Sequence, residues 1–280
     1  LTGKAVVMHY EVSGSGQPIV FVHGGFCSLS DWRFQSASLS DAWQVFAVDL
    51  PGHGRTPIDD VEAISPEHCA AAVNEFVAAQ AGGKCVLAGH SFGTRVVLEA
   101  ARQRPDQVAG IVLVDTSRVS AAGSEADAGA ISAGLNRLGA ARFIEEYFEA
   151  MMVGEKSPEI KADLIAARLG TVDERMIRAI MLSTVRWDSE RMDEALDAVA
   201  EIDVLAIQST TNHLGAPRQP VHEAAEVPWL DLLSRRLPRL RTAIVPNAGH
   251  FCMLEKPDLV SDAIDRFART VYQVIGPGSR

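Results

Sequence analysis

The pentapeptide Gly89-His90-Ser91-Phe92-Gly93 restricts the possible folds more than any other stretch of this chain. It stands directly after the apolar run Val86 to Ala88 and directly before a helix-forming stretch from Thr94 to Arg102, so it requires a sharp strand-to-helix turn. Glycines suit such a turn because neighbouring backbone passes where a Cβ would stand, and the central serine is left projecting alone. The helix that starts there aims free N–H groups and the positive end of its dipole at Ser91. Ser91 is the expected nucleophile, and the Phe92 amide is an expected donor to an oxyanion.

Three further apolar runs, Ile19 to Val22, Val45 to Val48 and Ile111 to Val114, are continuous rather than alternating, as in strands covered on both faces. With the helical stretch Pro66 to Ala79 they give the βαβ rhythm of a parallel sheet. Met8, Tyr10 and Val12 alternate with polar residues, and Gly14 to Pro18 supplies a turn, which predicts an opening hairpin. From Arg118 to Ala200 strand signals vanish, and helices are predicted at Ala141 to Met152, Pro158 to Arg168, Asp173 to Leu182 and Ser189 to Val199. Strands resume at Val204 to Ile207 and Thr242 to Val245. Val260, Ile264, Phe267, Val271 and Val274 then mark an amphipathic closing helix. The predicted organisation is an α/β core from 1–117 and 201–280, interrupted by a helical insertion at 118–200.

Charge narrows the partners. The formal net charge of −10 disfavours a phosphate backbone, so no nucleic-acid partner is expected. No run reaches the ~18 apolar residues of a spanning helix, so no membrane partner is expected either. Leu1 to Tyr10 carries no secretory pattern, although a chain that begins with Leu leaves an upstream segment open. Cys27, Cys69, Cys85 and Cys252 are scattered, which fits reduced thiols and a cytoplasmic setting; oligomeric state stays open.

Four motifs carry a resemblance. His23-Gly24-Gly25 follows the Ile19 strand, Asp49-Leu50-Pro51-Gly52-His53-Gly54-Arg55 follows the Val45 strand, Gly89 to Gly93 follows the Val86 strand, and Asn247-Ala248-Gly249-His250-Phe251 follows the last strand. In these the chain resembles the α/β-hydrolase fold family over nearly all its length outside the insertion. The resemblance implies a mostly parallel sheet of the eight-stranded type with helices on both faces, plus a helical cap. It implies His250 as general base and the Gly25 amide as the second oxyanion donor, with Phe26 the alternate by one position; His53 is read as structural. No cofactor is implied, and no metal-ligand spacing is present.

The pattern breaks at the third member. Relatives mostly carry an acid after the strand corresponding to Val204 to Ile207, but here the sequence reads Gln208-Ser209-Thr210-Thr211-Asn212. An amide such as Asn212 has no charge to stabilise an imidazolium, and an Asp-to-Asn change in another triad costs about 10⁴ in turnover. Asp115, at the end of the strand after the nucleophile helix, is the expected acid, a position that some relatives use. An Asp there also caps loops, and Glu223, Glu226 and Asp231 stay as alternatives. Asp203 begins its strand, at the wrong end of the sheet.

The insertion is expected to sit over Ser91 as a cap. Phe143, Tyr147, Phe148, Met151, Met152, Met181 and Trp187 form its expected apolar ceiling, and Phe26, Phe251 and Met253 its floor. Phe26, Trp187, Phe251 and Met253 are the expected substrate contacts, Trp187 foremost. The reading is a Ser-His-Asp hydrolase acting on an ester, thioester or lactone of a small, largely apolar substrate. Its competitors are a cofactor-independent lyase or dioxygenase of the same fold, and a ligand-binding module with a degenerate triad.

Overall fold

The continuous apolar runs form the middle of a seven-stranded sheet in the order β1-β3-β2-β4-β5-β6-β9. The computed structural model describes residues 7–119, 124–154, 160, 162, 164, 172–211, 218–222 and 227–275. Strands β2 (Pro18–Val22), β4 (Cys85–His90) and β5 (Val108–Val114) are buried along their whole length. β3 (Gln44–Val48), β6 (Asp203–Gln208) and β9 (Leu240–Ile244) continue the sheet, and every pairing but one is parallel. This is the α/β class predicted, with seven strands in this sheet among the described residues where an eight-stranded type was expected.

The exception corrects the predicted hairpin. β1 (Tyr10–Ser13) does not pair with β2 but lies antiparallel to β3, Tyr10 opposite Val48. Both edges of β2 are already taken by β3 and β4, so the half-exposed β1 finds its ladder one strand further out. A short ribbon of β7 (Thr210–Thr211) and β8 (Gln219–Pro220) stands beyond the carboxyl end of β6.

Helices α1 (Arg33–Leu39), α2 (Pro66–Phe76) and α3 (Phe92–Gln103) follow β2, β3 and β4. Pro66 at the first turn and the Ser65 side chain, which accepts from His68 N, fix the start of α2. Between β5 and β6 lie α4 (Ser124–Leu138), α5 (Ala140–Met151), α6 (Glu174–Glu190) and α7 (Met192–Ala198). Asp173 caps α6 by accepting from Met176 N at 2.8 Å. α6 runs past the predicted break at Ser189, whose hydroxyl bonds back to Val185 O at 3.1 Å instead of capping a new helix. Most of the predicted Pro158 to Arg168 helix lies outside the described residues. The chain closes with α8 (Pro228–Arg236), α9 (Cys252–Glu255) and α10 (Pro257–Ile275). Tyr272 pins α10 to the sheet, donating to Pro18 O at 2.6 Å and accepting from Val86 N at 3.2 Å. Among the described residues no helix is long and apolar enough to cross a membrane.

One buried ion pair ties α6 to the elbow helix. Arg95 Nε and Nη2 hold Asp188 Oδ1 and Oδ2, each at 2.7 Å, and Asp188 also accepts from Val119 N at 2.6 Å. The two side chains are 4% and 0% exposed. Removing one charge from such a pair strands the other in the interior, which typically costs about 3–5 kcal/mol. Asp188→Asn is therefore expected to lower unfolding stability in urea by about that much. A loss below about 1 kcal/mol would mean that the pair contributes as little as a surface one.

Candidate active site

Ser91 stands between β4 and α3 with φ 54° and ψ −115°, a conformation that non-glycine residues rarely adopt. A Cβ on Gly89 would collide with Gly93 O, and one on Gly93 with Val22 O, so both flanking glycines are sterically required. The strained residue is held from several sides. Ser91 N donates to Val114 O at 3.2 Å, and Ser91 O accepts from Thr94 Oγ1 at 2.6 Å and Arg95 Nη1 at 3.2 Å.

His250 follows β9 on the loop Asn247 to Phe251, and its Nδ1 lies 2.7 Å from Asp115 Oδ2. An ionised carboxylate only accepts, so Nδ1 carries the hydrogen and Nε2 is left bare. Among the described residues Nε2 has no hydrogen-bond partner, and no hydrogen bond joins it to Ser91 Oγ. Such contacts are commonly long without substrate and tighten when it binds. His250 N donates to Met151 O at 3.1 Å, and His250 O accepts from His90 Nε2 at 2.9 Å.

Asp115 is fully buried yet saturated with donors. Its Oδ1 accepts from Ser209 N at 2.8 Å and Thr210 N at 2.7 Å. Its Oδ2 accepts from Thr210 Oγ1 at 2.7 Å and Arg218 Nη1 at 3.2 Å, besides His250. Burial alone would raise this carboxyl, but the bond and charge of His250, then the Arg218 cation and Thr210, hold it down at about 2. Burial, and after it the Arg218 charge, lower His250 against the opposing pull of Asp115. Burial and the neighbouring His250 push His90 down to about 3, which keeps it neutral.

Phe92 N opens α3, where a first-turn amide has no helical acceptor, and Gly25 N has no backbone partner among the described residues. Phe26 N, the alternate donor, donates to His53 Nε2 at 3.2 Å. His53 in turn donates from Nδ1 to Pro51 O at 3.1 Å. Asp49 knits the same loops, taking Leu29 N at 2.8 Å and Arg55 N at 2.9 Å.

Gly25, Ser91, Phe92 and His250 line one cavity of about 170 Å³, together with Arg95, Thr116, Ser117 and Arg218. Ile131, Tyr147, Met151, Ile180 and Met181 close it from the helices between β5 and β6. A wider groove of about 620 Å³, between Glu62 to Ser65 and another face of α6, contains none of Ser91, Asp115 or His250.

The structure places the four expected substrate contacts outside the described lining of this cavity. Trp187 is fully buried away from the cavity, its Nε1–H donating to Glu99 Oε2 at 3.2 Å. Its helical position turns it toward α3 instead of the cavity face used by Ile180, Met181 and Thr184. Met253 is fully buried in α9, with its carbonyl accepting from Gln35 Nε2 at 3.0 Å. Phe251 backs the site, its ring 5.5 Å from that of His250 and 5.1 Å from that of His90. Phe26 supports Tyr147 edge-on at 5.9 Å. None of the four lines the cavity.

Of the other acids, Asp203 sits at the start of β6 and Asp231 in α8, while Glu223, Glu226 and Asn212 lie outside the described residues. Sequence reading missed Thr210, Arg218, Arg95 and Asp188. An arginine inside the apolar run Val96 to Leu98's helix was the available signal for Arg95. The Gln208 to Thr210 segment was judged by the carboxylate it lacks, not by the donors it offers.

Against known proteins, the chain is 22% identical to a pimeloyl-[acyl-carrier protein] methyl ester esterase of Nitrosomonas europaea, covering 92% of this chain and 98% of that one. It is 26% identical to a 2-(acetamidomethylene)succinate hydrolase of Mesorhizobium japonicum, covering 94% and 91%. A thermophilic esterase from Thermogutta terrifontis superposes with a TM-score of 0.72 at 23% identity, over 94% of this chain and 93% of that one. A model of the alpha/beta hydrolase family matches residues 19–263, a span that holds the strained serine, the glycines around it and the buried Asp115–His250 pair. By sequence, sheet order and elbow geometry, this chain belongs to the alpha/beta hydrolase family.

Proposed function

We propose that the protein is a serine hydrolase that cleaves an ester, thioester or lactone through an acyl-enzyme, with Ser91, His250 and Asp115 as its triad. One observation carries this reading: Ser91, the two open amides of Gly25 and Phe92, and the imidazole oriented by Asp115 all meet at one cavity. The hydrolases and esterases among its relatives support the reaction class.

In this mechanism His250 Nε2 takes the proton of Ser91 as Oγ attacks the carbonyl carbon. The carbonyl oxygen becomes an oxyanion that accepts from Gly25 N and Phe92 N. Collapse of the intermediate breaks the bond to the leaving alcohol or thiol, which receives the proton from His250. A water molecule then gives its proton to His250 and attacks the acyl carbon, releasing the acid and restoring Ser91. Asp115 keeps its negative charge throughout and stabilises the imidazolium. Residues 118–200 serve as the cap over a core of 1–117 and 201–280; the Ile131, Tyr147, Met151 and Ile180 walls of the cavity support that division.

The lack of a hydrogen bond between Ser91 Oγ and His250 Nε2 among the described residues favours a second reading, a lyase or dioxygenase in which Ser91 only positions substrate. A fluorophosphonate separates the two. Hydrolase chemistry is expected to leave the phosphonyl group on Ser91 in peptide mass spectra, with no adduct in Ser91→Ala. An unlabelled Ser91 together with turnover that persists in Ser91→Ala would overturn the triad. For p-nitrophenyl acetate, Ser91→Ala and His250→Ala are each expected to lower kcat by about 10⁴-fold or more.

The base works only as neutral imidazole, so activity is lost as pH falls through its pKa. Because burial and Arg218 lower that pKa, the acid limb of kcat/KM is expected below the ordinary value of 6.5. A limb above 6.5 in the free enzyme would contradict this electrostatic balance.

A further inference from the structure

Two guanidinium groups line the Ser91 cavity among the described residues, and they are not equivalent. Arg95 is fully engaged. Nε and Nη2 hold both oxygens of Asp188 at 2.7 Å, Nη2 donates to Ser117 O at 2.7 Å, and Nη1 donates to Thr116 Oγ1 at 2.9 Å and Ser91 O at 3.2 Å. Those bonds use every hydrogen that a guanidinium has, and Asp188 cancels its charge.

Arg218 is only half engaged. Its Nη1 donates to Thr210 Oγ1 at 2.6 Å and to Asp115 Oδ2 at 3.2 Å, while Nε and Nη2 make no hydrogen bond among the described residues. The side chain is only 10% exposed and lines the cavity beside Ser91 and His250. Nε and Nη2 keep some accessible surface, so a negatively charged acceptor that reaches this edge would replace water with charge-assisted hydrogen bonds. The Nη1 bonds hold the group in place, so the open edge is organised before anything binds. That Nε–Nη2 edge is the same fork by which Arg95 grips Asp188, and it fits the two oxygens of a carboxylate. Asp115 already takes part of the Arg218 charge, so a single negative charge suits the site better than a double one.

Resting on the hydrolase reading above, we propose that Arg218 is a specificity residue that receives a carboxylate carried by the substrate. The substrate class is then a small ester, thioester or lactone with a free carboxylate, its hydrocarbon part against Tyr147, Met151 and Ile180. This departs from the largely apolar substrate that sequence alone suggested.

The test compares the intact protein on methyl pentanoate and on monomethyl glutarate, which match in chain length and differ in the terminal carboxylate, with product acid followed by pH-stat. The wild type is expected to favour the glutarate ester in kcat/KM by about 10- to 100-fold. Arg218→Met is expected to bring that ratio close to one, and Arg218→Gln serves if the methionine variant does not fold. The ratio is the readout because Arg218 touches Asp115, so a rate loss common to both esters cancels. A wild-type ratio near one or below, or a preference that survives in a folded variant, overturns the inference and leaves the hydrolase reading standing. If neither ester turns over and Ser91 takes no fluorophosphonate, the hydrolase reading fails and this inference falls with it.

Discussion

The buried carboxylate of Asp115 is the constraint around which this site is organised. It ends β5 and collects hydrogen bonds from the loops after β6 and β9, through Ser209 N, Thr210 N, Thr210 Oγ1, Arg218 Nη1 and His250 Nδ1. An ion that far from water persists only when its lone pairs are taken, and here they are. One group therefore aligns the carboxyl ends of adjacent strands and fixes the tautomer and plane of His250. The strain at Ser91 and the open amides beside it acquire chemical meaning only next to a base so oriented.

Under the proposed triad, the segment after β6 needs to supply no acid of its own. Ser209 and Thr210 supply backbone and hydroxyl donors to Asp115, and Arg218 adds a cation. Charge and acceptor come from the residue that follows β5, and the donors that steady them from the segment after β6. Arg218 also pulls against Asp115 at the imidazole, favouring its neutral form.

Most of the fold was legible because it is written in local signals. Continuous apolar runs marked β2, β3, β4 and β5, and Pro66 and Pro257 mark helix starts. What failed was non-local. The alternation around Tyr10 identified an edge strand but not its partner, since pairing depends on which sheet edge is unoccupied. At the site, Gly89 to Gly93 announced the elbow through steric need, whereas the cavity wall depends on how helices rotate. Trp187 looked like a ligand contact from its size and position, yet its indole turns inward to Glu99. Arg218 was passed over because its importance comes from a through-space neighbour, Asp115, that no spacing rule connects to it.

The central claim is that the negative charge behind His250 comes from Asp115. It is tested most directly by steady-state kinetics of Asp115→Asn on a neutral p-nitrophenyl ester, with folding checked by circular dichroism. A folded protein whose kcat falls by about 10⁴-fold is expected, because an amide can hold the ring but cannot stabilise its charge and favours the wrong tautomer. A folded variant that keeps kcat within about tenfold of wild type would contradict it.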